Sequence, residues 1–255
     1  MIPSPNILVT NDDGIHSRGI FRLWETMEEI GNVTVVAPDT EKSAVGHAIT
    51  ISNPIRIQEF KQNGGFRGFS VDGTPADCVK IAITAICKNP PDIVISGINS
   101  GANVGNNIIY SGTVSAATEG TMYNISSIAI SLASQKSQDF NFSTEIARKV
   151  VKAVLKNGLP KGTLLNVNVP AIPPDKIKGI KITKQGHAFF KDRFEKREDP
   201  RGRQYYWMTG EIVNPVDASD LDSSVLEDGY VSITPIHYEL TNNNFLKQLN
   251  DWDFS

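Results

Sequence analysis

With 255 residues, 40% of them hydrophobic and 21% charged, and a formal net charge of −3, the chain has the proportions of a globular protein long enough to bury a sizeable core. The slightly acidic balance excludes a general basic face for nucleic acid or anionic membrane, so any anionic ligand must be held by a local device. No uncharged apolar stretch reaches the roughly 18 residues needed to cross a bilayer, and the opening Met1 to Asn6 lacks the basic segment of a signal peptide.

In chain order, the first predicted strand is Ile7-Leu8-Val9-Thr10, followed by Asn11-Asp12-Asp13-Gly14 and a periodic, helix-like FRLWETMEEIG that includes Leu23 and Met27. VTVVAPD, from Val33, gives a second strand. A helix-like CVKIAITAIC, Cys78 to Cys87, precedes Asp92-Ile93-Val94-Ile95-Ser96, whose near-continuous apolar run suits a central strand covered on both faces. Short branched runs alternating with longer periodic segments up to about Leu132 are the signature of βαβ units and a mostly parallel sheet. Further on, a helix is predicted at Thr144 to Leu155 and a strand at Thr163 to Val169, before prolines break the pattern in PAIPPDKIKGIKIT. Gln185 to Asp222 is polar, charged and aromatic, and reads either as an arm packed on a partner subunit or as a surface loop. YVSITPI, ending before His237, is a last strand. The two cysteines, Cys78 and Cys87, sit in apolar contexts and read as free thiols in a reducing compartment, which implies the cytoplasm.

In a parallel sheet the ligand lies outside the carboxyl ends of the strands, where strand order reverses, so the loops after the first three strands are the places for chemistry. In the first loop Asp12 and Asp13 repel, and each tends towards protonation unless a cation or hydrogen bonds compensate. Two readings stand. A divalent ion with oxygen ligands, Mg2+ or Mn2+, is one, and capping of the following helix is the other. The second loop, Ala37 to His47, carries Lys42, Ser43 and His47, each of which also has a structural reading as a turn cap or solvated side chain. The third, Ser96 to Asn107, alternates glycine and asparagine, which allows close approach of backbone N–H groups to an anion. Ser111 or Thr113 can then cap a helix running to Met122, whose start is an anion site. The phosphate-loop lysine motif is missing, and no lysine lies between Lys88 and Lys136, so a phosphate here would depend on a metal and backbone dipoles. Among the histidines, His16 is placed just inside the first helix, His187 lies beside Phe189 and Phe190 as core or aromatic wall, and His237 is structural. A serine-hydrolase elbow, a Cys/His zinc site and a dinucleotide fingerprint are all absent from the sequence.

Taken together, NDDGIHSRGI, VVAPDTEKSAVGHAIT, GTPADCV, PDIVISGINSGANVGNNIIYSGTVSAATEG, LNVNVP, DPRG and GYVSITPIH resemble the SurE (survival protein E) family, in the same order and across nearly the whole chain. The resemblance implies an α/β, Rossmann-like three-layer core with a mostly parallel sheet and an extended C-terminal arm or hairpin exchanged between subunits. It is read as one domain over residues 1–255, with the core at about 1–184 and 225–250 and the protruding arm at about 185–224. It also implies a metal-dependent 5'-nucleotidase acting on nucleoside monophosphates, extending to 3'-nucleotides and short polyphosphate in some members. Carried over residue by residue, one divalent ion per subunit falls to Asp12, Asp13, Ser43 and Asn99, and phosphate to Asn99 and the Ser111-Gly112-Thr113 turn. Many relatives have glycine where this chain has Ala44. The expected partners are nucleoside monophosphates and further copies of the chain, as a homodimer or homotetramer, with no nucleic-acid polymer and no membrane. The hypothesis carried forward is phosphomonoester hydrolysis with Asp12, Asp13 and Asn99 as catalytic residues and His16 or His47 as candidate general acids. The alternative is a nucleotide-binding regulatory module without catalysis.

Overall fold

The computed structural model describes residues 4–62, 64–137, 139–216 and 218–254; Asp217 of the expected arm and the first three residues of the expected core lie outside them. Strand β1 (Asn6–Thr10) is buried from Ile7 onward and pairs in parallel with β2 (Asn32–Pro38) on one side. On its other side it pairs in parallel with β5 (Ile93–Ser100). Between β2 and β5 come the antiparallel pair β3 (Ile57–Lys61) and β4 (Arg67–Val71). Beyond β5 follow β6 (Ser126–Leu132), β7 (Thr163–Val169), β8 (Ile180–Ile182) and β11 (Val231–His237), completing a nine-stranded sheet of order β3-β4-β2-β1-β5-β6-β7-β11-β8. Only the β3–β4 and β7–β11 pairings in it are antiparallel. The chain leaves β1 for β2 in one direction and later enters β5 on the opposite flank, so the strand order reverses between β1 and β5.

Helices cover both faces. Ile7 and Val9 of β1 pack with α1 (Arg18–Met27) and α4 (Asn141–Asn157), through Ile20, Leu23, Met27, Ile146 and Val150. Leu8, one residue out of phase, packs on the other face with Cys78 and Val79 of α2 (Pro75–Ile81) and Ala116 of α3 (Gly112–Met122). The result is the expected α/β architecture in three layers.

Local chemistry sets the element ends. Ser17 is the N-cap of α1, its Oγ accepting from the Ile20 N–H at 3.4 Å, so α1 begins after His16 rather than before it. Thr74 and Asp77 form a capping box at α2, with Pro75 at the first helical position. That helix stops at Ile81 and widens into a π-helical stretch, Ala82–Ile86, where the sequence pattern predicts one continuous helix. The predicted Thr144–Leu155 helix is longer at both ends, and the strand at Thr163–Val169 has its expected bounds. Cys78 is buried, Cys87 is half-buried, and both are free thiols.

β9 (Phe189–Glu198) and β10 (Gln204–Val213) form a separate antiparallel hairpin, paired from Phe189–Val213 to Glu198–Gln204. Nearly all of it is exposed. The segments flanking it, Gln185 to Ala188 and α5 (Asp222–Glu227), pack back on the core. A short α6 (Asn243–Leu249), capped by Asn242, ends the fold. Among the described residues no helix is long and apolar enough to cross a membrane.

Candidate functional site

The carboxyl ends of β1 and β5 flank the point where strand order reverses, and the two aspartates emerge there. Asp12 is 7% exposed, and Asp13 is partly buried beside it. Neither caps α1, because Ser17 does. Asp12 instead reaches the start of a helix remote in sequence: Thr113 Oγ1 donates to Asp12 Oδ1 at 2.5 Å, and the Thr113 backbone N–H donates as well. The N-terminus of α3, the expected anion site, thus holds a carboxylate of the protein itself. Ser111 is the N-cap of that helix, its Oγ accepting from the Val114 N–H at 3.1 Å. Two of the first three N–H groups of α3 are therefore taken by protein oxygens. Gly112 is packed hard against Asp12: a Cβ at that position would lie 2.7 Å from Asp12 Cβ and 3.0 Å from Asp12 Oδ2, so only glycine fits.

Asp13 Oδ2 accepts the Ser100 N–H at 3.2 Å. This contact brings the end of β5 to the first loop, and with it Asn99. The sequence places Asn99 in a loop, whereas here it is the penultimate residue of β5: after a register shift following Ser96, Asn99 pairs with Ser131 of β6. Its Nδ2 donates to the Gly101 carbonyl at 2.8 Å, which leaves the amide oxygen as its acceptor.

The loop after β2 is tied to the same point by its backbone, the Lys42 N–H donating to the Asp12 carbonyl at 2.8 Å. Ser43 is exposed and its hydroxyl donates to Glu41, so its side chain is adjacent to the acid pair through the chain rather than bonded to it. Ala44 sits at φ +54, a left-handed backbone that favours glycine. His47 Nε2 lies 2.7 Å from Glu119 Oε2, and Lys80 Nζ donates to Glu119 Oε1 at 2.6 Å. Glu119, its side chain 4% exposed, is raised by burial but brought below the ordinary value by these bonds. Its position in α3 is two turns beyond Ser111. His16 is exposed, edge-on to Phe60, and His187 and His237 are exposed; Phe189 and Phe190 begin the hairpin and are not core.

Electrostatics single out the acid pair. Burial pushes Asp13 up to about 7, with the neighbouring Asp12 and Glu41 charges adding to it. Burial raises Asp12 too, despite the bonds from Thr113. No ion pair among the described residues includes either carboxylate. Nor is there, among those residues, a group of three His, Cys, Asp or Glu side chains able to hold a metal; the potential donors here are two carboxylates with an amide and a hydroxyl. Sequence reasoning missed the Thr113 bond, the Glu119 cluster and a buried asparagine network. In that network Asn166 and Asn168 of β7 donate to the Asn103 carbonyl at 2.8 and 3.0 Å. Alternating asparagines within the apolar run LNVNVP were the available signal for it.

Three comparisons place the chain among known proteins. The sequence model described as Survival protein SurE matches residues 7–192. A protein named 5'-nucleotidase SurE from Syntrophobacter fumaroxidans is 49% identical over 247 residues, covering 97% of this chain and 99% of that one. One of the same name from Heliobacterium modesticaldum is 47% identical, covering 96% and 91%. Among solved structures, the crystal structure of SurE protein from Aquifex aeolicus superimposes with a TM-score of 0.83 at 41% identity, covering 96% of this chain and 98% of that one. On its motifs, its α/β sheet and these matches, the chain belongs to the survival protein SurE family.

Proposed function

We propose that the chain hydrolyses nucleoside 5'-monophosphates to nucleoside and inorganic phosphate, with one divalent ion, Mg2+ or Mn2+, held by Asp12, Asp13, Ser43 and Asn99. The observation that carries the reading is the buried acid pair at the reversal of strand order, its carboxylates pushed up and without an ion-pair partner among the described residues. A site that burial makes so unfavourable for negative charge is suited to a cation. The printed name of the relatives, 5'-nucleotidase, supports the substrate class. We extend it to 3'-monophosphates and short polyphosphate as secondary substrates, because an all-oxygen site at an open strand edge grips phosphate rather than base.

The donor set fits a hard cation: two carboxylates, the Asn99 amide oxygen and the Ser43 hydroxyl, all oxygen. When bound, such an ion polarises a phosphoryl oxygen and lowers the pKa of its water. The protein's own part is positioning and charge. Thr113 fixes the Asp12 carboxylate, and the Ser100 N–H fixes that of Asp13. Ser43 would exchange its bond to Glu41 for the ion. In the Ser111-Gly112-Thr113 turn both Thr113 donors are taken by Asp12, so the Gly112 N–H and the Ser111 hydroxyl, with the second Nδ2–H of Asn99, are the donors offered to the non-bridging phosphate oxygens, where charge accumulates in transfer. His47 is held by Glu119 rather than pointed at the acid pair by any contact, and His16 packs on Phe60, so neither is assigned a proton.

The hairpin is read as a contact between subunits of a homodimer or homotetramer. Phe194, Tyr206, Met208 and Ile212 are each more than half exposed and share one face of it, an apolar surface that a second copy would cover.

The test is phosphate release from AMP and GMP after chelation, with and without added Mn2+ or Mg2+. Turnover is expected only with metal, and Asp12→Asn and Asp13→Asn are expected to abolish it while remaining folded. Near-parental, metal-stimulated turnover in both variants would refute the assignment; tight metal-dependent nucleotide binding without phosphate release would favour a regulatory binding module instead.

A further inference from the structure

The segment from Asn99 to Thr113 carries candidate site residues at both ends, and its middle is pinned by groups outside the site. One of these pins is the carboxylate of Asp222, the first residue of α5, fully buried. Its Oδ2 accepts the Gly105 N–H at 3.0 Å and its Oδ1 accepts the Gly186 N–H at 2.9 Å. One carboxylate therefore joins two stretches of chain: the loop that leads from Asn99 to the Ser111 turn, and the base of the exposed hairpin. The same two stretches meet twice more. Gln185 Nε2 donates to the Gly105 carbonyl at 3.0 Å, and the Asn106 N–H donates to the Ala188 carbonyl at 2.7 Å. Approach is close enough that a Cβ on Gly105 would lie 2.4 Å from the Ala188 oxygen, and its φ of +57 is left-handed. Nothing in the proposed chemistry uses Asp222, and a buried carboxylate is expensive to keep unless its bonds do something an apolar residue could not.

We propose that Asp222 is a positioning residue: it clasps the root of the hairpin to the Gly105 loop and so holds Asn99 and the Ser111 turn at the spacing that substrate phosphate requires. Because the hairpin root is the other half of the clasp, the seating of the arm is felt at the site. The clasp acts on binding geometry rather than on the reacting atoms, so its loss weakens affinity for phosphate and substrate more than it slows turnover. This kinetic expectation rests on the proposed hydrolysis; the structural one does not.

Asp222→Asn keeps the shape but turns one acceptor into a donor facing an N–H group. With metal present and well below its melting temperature, this variant is expected to raise KM for AMP about tenfold and to weaken inhibition by inorganic phosphate by a similar factor, with kcat within about twofold. Hydrogen exchange should quicken jointly at residues 105–110 and at 186–188 while the β1 and β5 amides keep their protection. Gln185→Ala, which removes one arm of the clasp from an exposed side chain, should shift both readouts the same way by a smaller factor and serves if Asp222→Asn fails to fold. Unchanged KM and phosphate inhibition in folded variants would overturn the proposal, as would a fall in kcat alone or quickened exchange at only one of the two segments. If the parent chain hydrolyses no nucleotide, the exchange experiment still decides the clasp, and phosphate release decides the activity.

Discussion

Replacing Asp13 by asparagine is expected to stabilise the metal-free protein while destroying its activity, an outcome that separates a cation site from a structural acid pair. The Asp13 carboxyl is raised from 3.8 to about 7, chiefly by burial and then by the charge on Asp12. Three units at about 1.4 kcal/mol each give a ceiling of about 4 kcal/mol, which partial exposure to solvent reduces to about 2–3 kcal/mol. The sign follows from proton binding. A carboxyl whose folded value lies above its unfolded value binds more protons when folded, so the metal-free chain loses stability as pH rises from about 4 to about 7 and levels off beyond. Asparagine does not ionise, relieves Asp12 of a neighbouring charge, and its amide oxygen can still accept from Ser100. Urea unfolding in EDTA at about pH 8 should therefore find Asp13→Asn more stable by about 2 kcal/mol, with the two proteins converging at about pH 4. Saturating Mn2+ should reverse the order, raising the parent by about 2.7 kcal/mol at a hundredfold excess over Kd and the variant by far less. A variant equally or less stable than the parent in EDTA at about pH 8 would refute the reasoning.

Gly112→Ala must push Asp12 aside or shift the start of α3, so about a 10–100-fold fall in kcat/KM for AMP is expected, together with about 1–3 kcal/mol of destabilisation in urea. Glu119→Gln weakens the bonds to His47 and Lys80; a loss of about 1–2 kcal/mol near neutral pH is expected in thermal unfolding. Because the folded value of Glu119 lies below 4.5, that contribution is present above about pH 4.5 and fades as pH falls through the folded value, so parent and variant should converge in acid. Met208→Glu places charge on the exposed apolar face of the hairpin and should lower the sedimentation-derived mass towards that of one chain, while an unchanged mass would locate the subunit contact elsewhere.

Much of the sheet was legible because burial on both faces writes a continuous apolar run, as in Ile93 to Ser96, and burial on alternating helical positions writes a period, as in α1. The acid pair was legible as a pair but not as a role. Whether Asp12 caps a helix or faces a cation depends on which helix arrives beside it, and the one that does carries Thr113 in its first turn, 101 residues away. Asn99 was found by its motif, yet its place at the end of β5 depends on a register shift against β6 that no local pattern encodes. The hairpin gave no core signal because it has no core: its strands are held by cross-strand pairs such as Phe194 with Met208 and Lys191 with Glu211, both exposed. The Asp222 clasp was invisible for the same reason as the Thr113 bond, since its partner Gly105 lies 117 residues away.

Asp12 shows how the fold tolerates its own site. The start of α3 gives it a hydroxyl and a backbone N–H, a helix dipole worth about 0.3–1 kcal/mol, and a glycine that lets the backbone come close. Those contacts would hold an isolated carboxylate well below its ordinary value, yet burial still raises it. The arrangement orients the carboxylate and stops short of neutralising it. A full complement of donors would have made Asp12 a stable structural acid with little left for a ligand. The residual imbalance, shared with Asp13, is free energy that the proposed cation would recover, and it is concentrated where the strand order reverses and where Asn99 and the Ser111 turn converge. On this argument Thr113→Val should leave metal affinity intact or increase it while lowering kcat/KM, because it frees the carboxylate but loses its aim. Isothermal titration with Mn2+ alongside AMP turnover measures both, and a parallel loss of metal affinity would show that Thr113 holds the ion's ligand in place rather than merely orienting it.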